Sequence, residues 1–248
     1  MKKETLKTFI ERYSIGGEIS KVKWKYTAST KTLHARATAD GRYFIADVIL
    51  KNFSDFGNED IVICIGDTDK VKAMITPFAE DINFSINKSD SDKVLGFTLS
   101  DADCESYCAA ADASIIDPVP KNLQDIPNYD AIVPLTEEFL EKFLKARGAL
   151  KDVSMFSVAM NKKNLLEVVI GYVTANSNRI RLTPTCDAVY NKVNVAMSFP
   201  VKNVAEVFKA NKDISNASMN ISDAGIIKLS FESNDYTCSY YQFANKKS

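Results

Sequence analysis

Thr136–Leu150, TEEFLEKFLKARGAL, is the clearest amphipathic helix in the chain. Phe139, Leu140, Phe143 and Leu144 recur at i, i+1, i+4 and i+5, so a 3.6-residue turn gathers them on one side. Thr136 stands at the N-cap, with Glu137 and Glu138 in the first turn. Lys145 and Arg147 fall in the last turn, and Gly148 is expected to stop the helix. Strand-like segments follow, and a long linker precedes.

The chain before that linker reads in the same terms. Leu6, Phe9, Ile10 and Tyr13 put an amphipathic helix over residues 2–14, ended by Gly16 and Gly17. Lys21–Thr27, Thr32–Ala39 and Tyr43–Leu50 are strand-like, rich in β-branched and aromatic residues, with a turn at Asp40–Gly41. Ile61–Ile65 is a short apolar run suited to a buried strand. A helix over about 67–79 follows, with Val71, Met74, Ile75 and Phe78 as its stripe and Pro77 expected to kink or end it. Ile82–Ile86, Val94–Leu99 and Glu105–Ala111 read as three more strands.

Residues 112–130 break the pattern. Pro118, Pro120 and Pro127 interrupt a stretch with neither helical nor strand period, which marks a connector. Its Ile115, Ile116, Val119, Leu123 and Ile126 imply that it lies against a surface. After it the order returns. The 136–148 helix leads to strands near Met155–Met160, Leu165–Tyr172, Arg179–Thr185 and Val193–Phe199. A helix over Pro200–Lys209 has Pro200 in its first turn and Val201, Val204, Ala205 and Phe208 on one face. Strands near Ser218–Ile221, Ile226–Phe231 and Thr237–Phe243 complete the chain. The helical stripes start at Leu6 and Val71 in the first half and at Leu140 and Val201 in the second, at nearly equal separations. This is repeated architecture without repeated sequence. It predicts an α+β protein of two similar domains, each laying two helices on antiparallel sheet. The expected boundaries are 1–112 and 131–248, joined by a connector at 113–130.

Composition bounds the function. A hydrophobic content of 46% with 25% charged residues is that of a globular protein. No apolar run reaches the roughly 18 residues of a membrane span, and MKKETLKTFIERY lacks the apolar core of a secretory signal. The formal net charge of −1 argues against coating nucleic acid with the whole surface but leaves room for one basic face. Five cysteines with no signal point to reduced thiols in the cytoplasm. Cys104 and Cys108 are not spaced as CxxC, so zinc ligation is not expected.

No catalytic constellation emerges, and the reading is of a non-enzyme without cofactor or metal. The one histidine, His34, lies in the strand-like TLHARATA, where a partly exposed strand position explains it. There is no GxxxxGK[ST], GxGxxG or HExxH. Asp67 with Asp69, and Asp101 with Asp103, fall where capping and solvation account for carboxylates. The helices do share one feature. Lys3, Lys7 and Arg12 on the first, Lys70 and Lys72 on the second, Lys142, Lys145 and Arg147 on the third, and Lys202 and Lys209 on the fourth lie off the apolar stripes. Solvated helix faces explain such residues, and Glu4, Glu11, Glu138, Glu141 and Glu206 share them. If the four helices line one surface, that surface meets phosphates without reading bases.

Three stretches resemble a known family. ADASIIDPVPKNLQDIP is similar to the segment joining domains in DNA sliding clamps of the proliferating-cell nuclear antigen superfamily, the closer likeness being to the clamp of T-even-type bacteriophages. LTEEFLEKFLKARGAL resembles the helix that opens domain two in that family, and RATADGRYFIADVI its strand–turn–strand in domain one. The order of elements fits along the whole chain. The resemblance implies a DNA clamp fold closing as a homotrimeric ring around duplex DNA, with the ten lysines and arginines above facing the DNA. It implies a processivity factor that tethers the replicative DNA polymerase, loaded by a clamp-loader ATPase, in the cytoplasm of the infected host if viral. Contact with the late-transcription machinery is also implied. Subunits would join through Tyr107, Cys108 and Ala109 and through Arg179, Ile180, Arg181 and Leu182. Partner peptides would dock on Phe44, Ile115, Ile116, Val119, Tyr240, Tyr241 and Phe243, although sheet core explains the C-terminal aromatics equally well. The alternative is a β-rich, non-enzymatic interaction or virion protein without a DNA role.

Overall fold

The computed structural model describes residues 1–119, 129–161, 163, 165–171, 177–185, 188–189 and 197–244. The chain divides into two compact units, Met1–Val119 with Asn234–Cys238 and Pro120–Ser233 with Ser239–Ser248. The break at Val119/Pro120 falls inside the stretch read as a connector. Pro120, Leu123, Ile126 and Pro127 of that stretch lie outside the described residues, as do Cys186 and the Val193–Ala196 part of an expected strand.

The first unit opens with α1 (Lys3–Ser14), then β1 (Val22–Thr27), β2 (Thr32–Thr38), β3 (Phe44–Leu50) and β4 (Ile61–Ile65), then α2 (Thr68–Ile75) and β5 (Asn83–Lys88), β6 (Val94–Ser100) and β7 (Glu105–Ala109). Every strand pairing is antiparallel. One sheet runs β3-β2-β1-β4 and a second β5-β6-β7. The four apolar residues read as the first helical stripe, Leu6, Phe9, Ile10 and Tyr13, are all fully buried. Phe9 and Tyr13 meet the edges of Trp24 on β1, with centroids 5.9 and 6.4 Å apart. Trp24 also stacks on Phe97 of β6 at 5.7 Å, so α1 and both sheets share one aromatic core.

Helix α2 is shorter than its apolar stripe implied. Asp67 caps it by accepting from Lys70 N–H at 2.9 Å, and it ends at Ile75, two residues before Pro77. Phe78 is buried all the same, from beyond the helix. Asp101 accepts three backbone N–H groups, from Ala79 at 2.7 Å, Cys104 at 2.8 Å and Asp103 at 3.0 Å. Those bonds, the Ala79 one foremost, hold its carboxyl below the ordinary value of 3.8. The unfolded chain therefore takes up the proton more readily. The contribution of Asp101 is present above the unfolded pKa and lost as pH falls through the folded one. The thermal midpoint should decline as pH drops below about 4, and Asp101→Asn should flatten that decline in melts recorded between pH 5 and 3. An unchanged decline would remove Asp101 from the acid response.

The second unit adds a strand the periodicity did not reveal, β8 (Ala131–Pro134), before α3 (Glu137–Ala149). Only four residues long and closed by Pro134, AIVP is too short to display a period. Ala131 and Val133 are nonetheless fully buried, and β8 pairs with β14. Then come β9 (Met155–Met160), β10 (Leu166–Ile170), β11 (Ile180–Leu182), β12 (Ala188–Val189), β13 (Met197–Pro200), α4 (Val201–Ala210), β14 (Asn216–Ser222), β15 (Ile226–Glu232) and β16 (Tyr236–Phe243). The sheet orders are β12-β8-β14-β15-β16 and β11-β10-β9-β13, again antiparallel. Phe143 of α3, Phe208 of α4 and Phe156 of β9 form the core here, with Phe143 5.0 Å from Phe208 and 5.6 Å from Phe156.

The start of α3 is as read: Thr136 Oγ accepts from Phe139 N–H at 3.2 Å. Its end is not. Gly148 lies inside the helix, which continues to Ala149, and the Arg147 guanidinium donates to Leu150 O at 2.9 Å. A side-chain donor on a terminal carbonyl does what a left-handed glycine does elsewhere. Arg179–Thr185 supplies only the three residues of β11, because Pro184 has no N–H for a ladder.

The fold is α+β, with two α-helices and antiparallel sheet among the described residues of each unit. Gly96 on β6 lets β7 lie close. A Cβ there would strike the Cys108 carbonyl oxygen and come within 2.9 Å of the Tyr107 hydroxyl. Gly96→Ala should destabilise the first unit by about 1–3 kcal/mol, read by urea denaturation. A loss of only a few tenths would mean the two strands part freely.

Candidate nucleic-acid interface

The basic residues read from the sequence fall on two helix pairs, α1 with α2 and α3 with α4, and their surroundings differ. On α1, Arg12 is 1% exposed, and its guanidinium carbon lies 3.8 Å from the ring centroid of Tyr236. Tyr236 in turn donates to Thr5 O at 3.3 Å. Arg12 is therefore a buried cation–π strut and not a surface contact, which corrects the sequence reading. Lys3 donates to Thr76 O at 2.8 Å and Phe78 O at 2.6 Å, binding carbonyls just past the end of α2. Lys7 pairs with Glu4 at 3.6 Å, and Lys72 of α2 reaches across to Glu11 of α1 at 3.0 Å. Lys70 is exposed. The outward faces of this pair thus carry lysine and carboxylate in near balance.

The second pair carries as many basic helix residues as the first and arranges some of them around a groove. Lys142 and Lys145 are exposed and pair with Glu138 and Glu141 one turn back, lowering both carboxyl pKa values through hydrogen bond and charge. Between α3 and α4 runs a groove of about 290 Å³ lined by Leu144, Arg147, Gly148, Lys151, Lys202, Ala205, Glu206 and Lys209. Four cations there face one carboxylate, Glu206, which accepts from Lys209 at 2.7 Å. Lys151 was not among the residues read as basic helix positions, since it lies beyond the end of α3. Its nearness to Arg147 in sequence was the one available signal. Such a groove attracts an anion by summed charge and holds it by hydrogen bonds that exchange readily with water.

The residues read as a peptide-docking surface separate by burial. Phe44 and Tyr240 are fully buried and Tyr241 is 5% exposed, so all three are core. Tyr240 accepts from Asn211 Nδ2 at 2.9 Å and packs on Phe231. This settles the open choice for Tyr240 and Tyr241 in favour of core, and removes Phe44 with them. Ile116 is also buried, while Ile115 is 46% exposed beside Gly66 and Val119 and Phe243 are half-buried. Of the residues read as subunit joints, Tyr107, Cys108 and Ala109 lie on β7 and Ile180, Arg181 and Leu182 on β11, with Arg179 just before it. Each strand is the last of its sheet. Tyr107 is 50% exposed; Cys108 is buried, with its thiol 3.6 Å from Met74 Sδ, and burial raises its pKa.

His34 pairs with Asp47 at 2.6 Å, and Asp47 also meets Arg36, a cross-strand charge network on β2 and β3. Among the described residues no group of three or more His, Cys, Asp or Glu is placed to hold a metal ion. No helix among them is long and apolar enough to cross a membrane.

No family model and no curated protein matches the sequence. Solved structures do match, over essentially the whole chain. The Proliferating Cellular Nuclear Antigen (PCNA) of Entamoeba histolytica is 14% identical, with a TM-score of 0.71 over 99% of this chain and 97% of that one. The A. fulgidus PCNA, solved with the C-terminal region of FEN-1 bound, is 16% identical, with a TM-score of 0.72 over 100% and 98%. The PCNA2–PCNA3 complex of Sulfolobus tokodaii gives 10% identity and a TM-score of 0.69 over 99% and 97%. At such identities the likeness is one of fold, and the fold of this chain is that of the PCNA-type DNA sliding clamps.

Proposed function

We propose that this chain is a sliding clamp: three copies close into a ring around duplex DNA and tether the replicative DNA polymerase, with no reaction of their own. The observation that carries the reading is the clamp fold over nearly the full chain, together with helix pairs in both units bearing outward lysines. A ring held by topology needs no strong affinity for DNA, so a net charge of −1 is no obstacle. Weak, water-exchanging contacts to phosphate let it slide. The free edges of β7 and β11 join neighbouring copies by strand addition, the edge of one pairing with the edge of the next. The exposed Ile115, with Val119, belongs to the surface that receives apolar tails of the polymerase. Opening the ring calls for a clamp-loader ATPase. The likeness to phage clamps extends the partners to the late-transcription machinery and the location to replicating DNA in the cytoplasm of an infected cell.

Light scattering over a dilution series tests the assembly. The expected mass is three chains, falling to one on dilution. With a loader present, the same protein should lengthen polymerase products on primed circular DNA. A strict monomer at every concentration would overturn the ring.

A further inference from the structure

We propose that the open edge of β5 in the first unit is a docking site for an extended segment of a partner protein in which apolar and basic residues alternate. The site goes beyond the clamp reading and does not rest on it. It is also separate from the surface around Ile115. Ile61 opens β4, whereas Ile115 lies beside Gly66, past the other end of that strand.

The hydrogen-bond phase of the sheet decides which backbone groups are available. Ala110 N–H donates to Leu95 O and Asp101 N–H to Cys104 O. Phe97 and Leu99 therefore exchange their bonds with β7, and Gly96, Thr98 and Ser100 turn theirs toward β5. Those three oppose Asn87, Ser85 and Asn83. The N–H and C=O of Phe84 and Ile86 are left pointing away from β6, and among the described residues no strand meets them. The same edge already receives an extended segment a little earlier. Ile82 N–H donates to Met1 O at 2.9 Å and Lys3 N–H to Glu80 O at 2.8 Å, with Lys2 opposite Asp81 in an antiparallel bridge. Residues 80, 82, 84 and 86 share one parity along the chain. Residues 1–3 thus occupy the first half of the edge and leave the second half open. The register irregularity at Asn87/Lys88 and the charge of Lys88 guard its far end.

Side chains of an added strand have a place to go. Beside the edge lies a cleft of about 280 Å³ with Phe56, Ile61, Phe84 and Ile86 in its lining. Phe84 and Ile86 are only half-buried. Phe56 stacks on Phe84 at 4.2 Å and Phe84 on Phe97 at 4.9 Å, which gives the cleft a rigid aromatic floor. Charge then selects the partner. Asp55, Glu59, Glu80, Asp81 and Asp92 are exposed around the edge. They face the ammonium groups of Lys88, held by Glu59 at 2.7 Å and Asp92 at 2.8 Å, of Lys2, held by Asp81 at 2.9 Å, and of the Met1 terminus, 3.4 Å from Asp55. Carboxylates are in excess, so a basic segment is favoured and an acidic one repelled. In a strand added to this edge, the residues bonded to Phe84 and Ile86 share the face of those two side chains and enter the cleft. The residues between them point the other way and are free to be lysine or arginine.

The probe is a fluorescent, end-blocked heptapeptide that alternates leucine with lysine, titrated into the full chain at low salt and followed by anisotropy. Three further peptides accompany it: one with glutamate for lysine, one N-methylated at its leucines and one N-methylated at its lysines. The glutamate peptide and the leucine-methylated peptide should each bind about tenfold or more weakly than the parent, because one meets like charge and the other loses the donors aimed at Phe84 and Ile86. The lysine-methylated peptide should bind within about threefold of the parent, since those amides point away from the edge. Two protein variants complete the set. Ile86→Pro removes a donor that β6 does not use and should weaken the parent peptide about tenfold or more. The Glu59→Gln, Asp92→Asn double variant should weaken it about threefold, with the difference vanishing at high salt. Thermal melts establish that both variants keep the wild-type fold, and the methylated peptides carry the test without any variant. No binding of the parent peptide, tighter binding of the glutamate peptide, or equal losses on methylating leucines and lysines would overturn the site. None of these outcomes touches the clamp reading, which the solution mass tests.

Discussion

Trp24→Ala is expected to cost the first unit about 3–5 kcal/mol, the range for deleting a large aromatic side chain from a packed core. Trp24 is the one tryptophan of the chain and is fully buried. Its indole receives Phe9 and Tyr13 of α1 edge-on and stacks on Phe97 of β6, which itself stacks on Phe84 of β5 at 4.9 Å. The helix and both sheets of this unit meet at that ring, and neighbours on three elements cannot all move in to fill the space. Urea denaturation followed by far-ultraviolet circular dichroism measures the effect, since the variant has lost its fluorophore. The unfolding midpoint should fall steeply. Trp24→Phe, which keeps part of the ring contact, should lose less. A cost near 1 kcal/mol would show that α1 and the sheets are held elsewhere.

On the ring proposed above, Ala109→Pro should reduce the solution mass from three chains to one while leaving the fold in place. The hydrogen-bond phase of β6 and β7 explains the choice. Ala110 N–H donates to Leu95 O at 2.8 Å and Asp101 N–H to Cys104 O at 2.9 Å. Both pairs share the register that opposes Gly96 to Ala109. Alternation then assigns the ladder bonds to Cys108 with Phe97 and Ser106 with Leu99, and turns the N–H and C=O of Ala109 and Tyr107 away from β6. Proline at 109 removes a donor from the free edge without breaking a bond inside the sheet. Cys108→Pro is the contrast: it removes a ladder bond and should lower thermal stability as well as mass. Light scattering with parallel thermal melts separates the two. If Ala109→Pro remains at three chains, β7 is not the edge through which copies join.

The helices were legible before any fold was known, because their signals are local. Thr136 caps α3, Asp67 caps α2, and the apolar residues of α1 and α4 recur with the helical period, so each element could be placed from its own residues. Strands with a clear period, such as Met155–Met160, were legible in the same way. β8 was not, because four residues ended by a proline carry too little pattern and owe their strand form to pairing with β14.

The candidate site was legible only in outline. The sequence by itself determined which residues are charged and which helix face they occupy, because those depend on residue type and on the 3.6-residue turn. Only the tertiary structure decided what each charge meets. Arg12 and Lys7 look alike on a helical wheel, yet one lies under Tyr236, more than two hundred positions away, and the other stands beside Glu4. Lys151 lies outside any helix and joins the groove because α3 ends with its last turn beside α4. Phe44 and Tyr240 could have faced either side of their strands, and burial against residues distant in sequence turned them inward. Local periodicity sets which side of an element is apolar, whereas the neighbours brought together by folding set whether a given side chain binds a partner or supports the core.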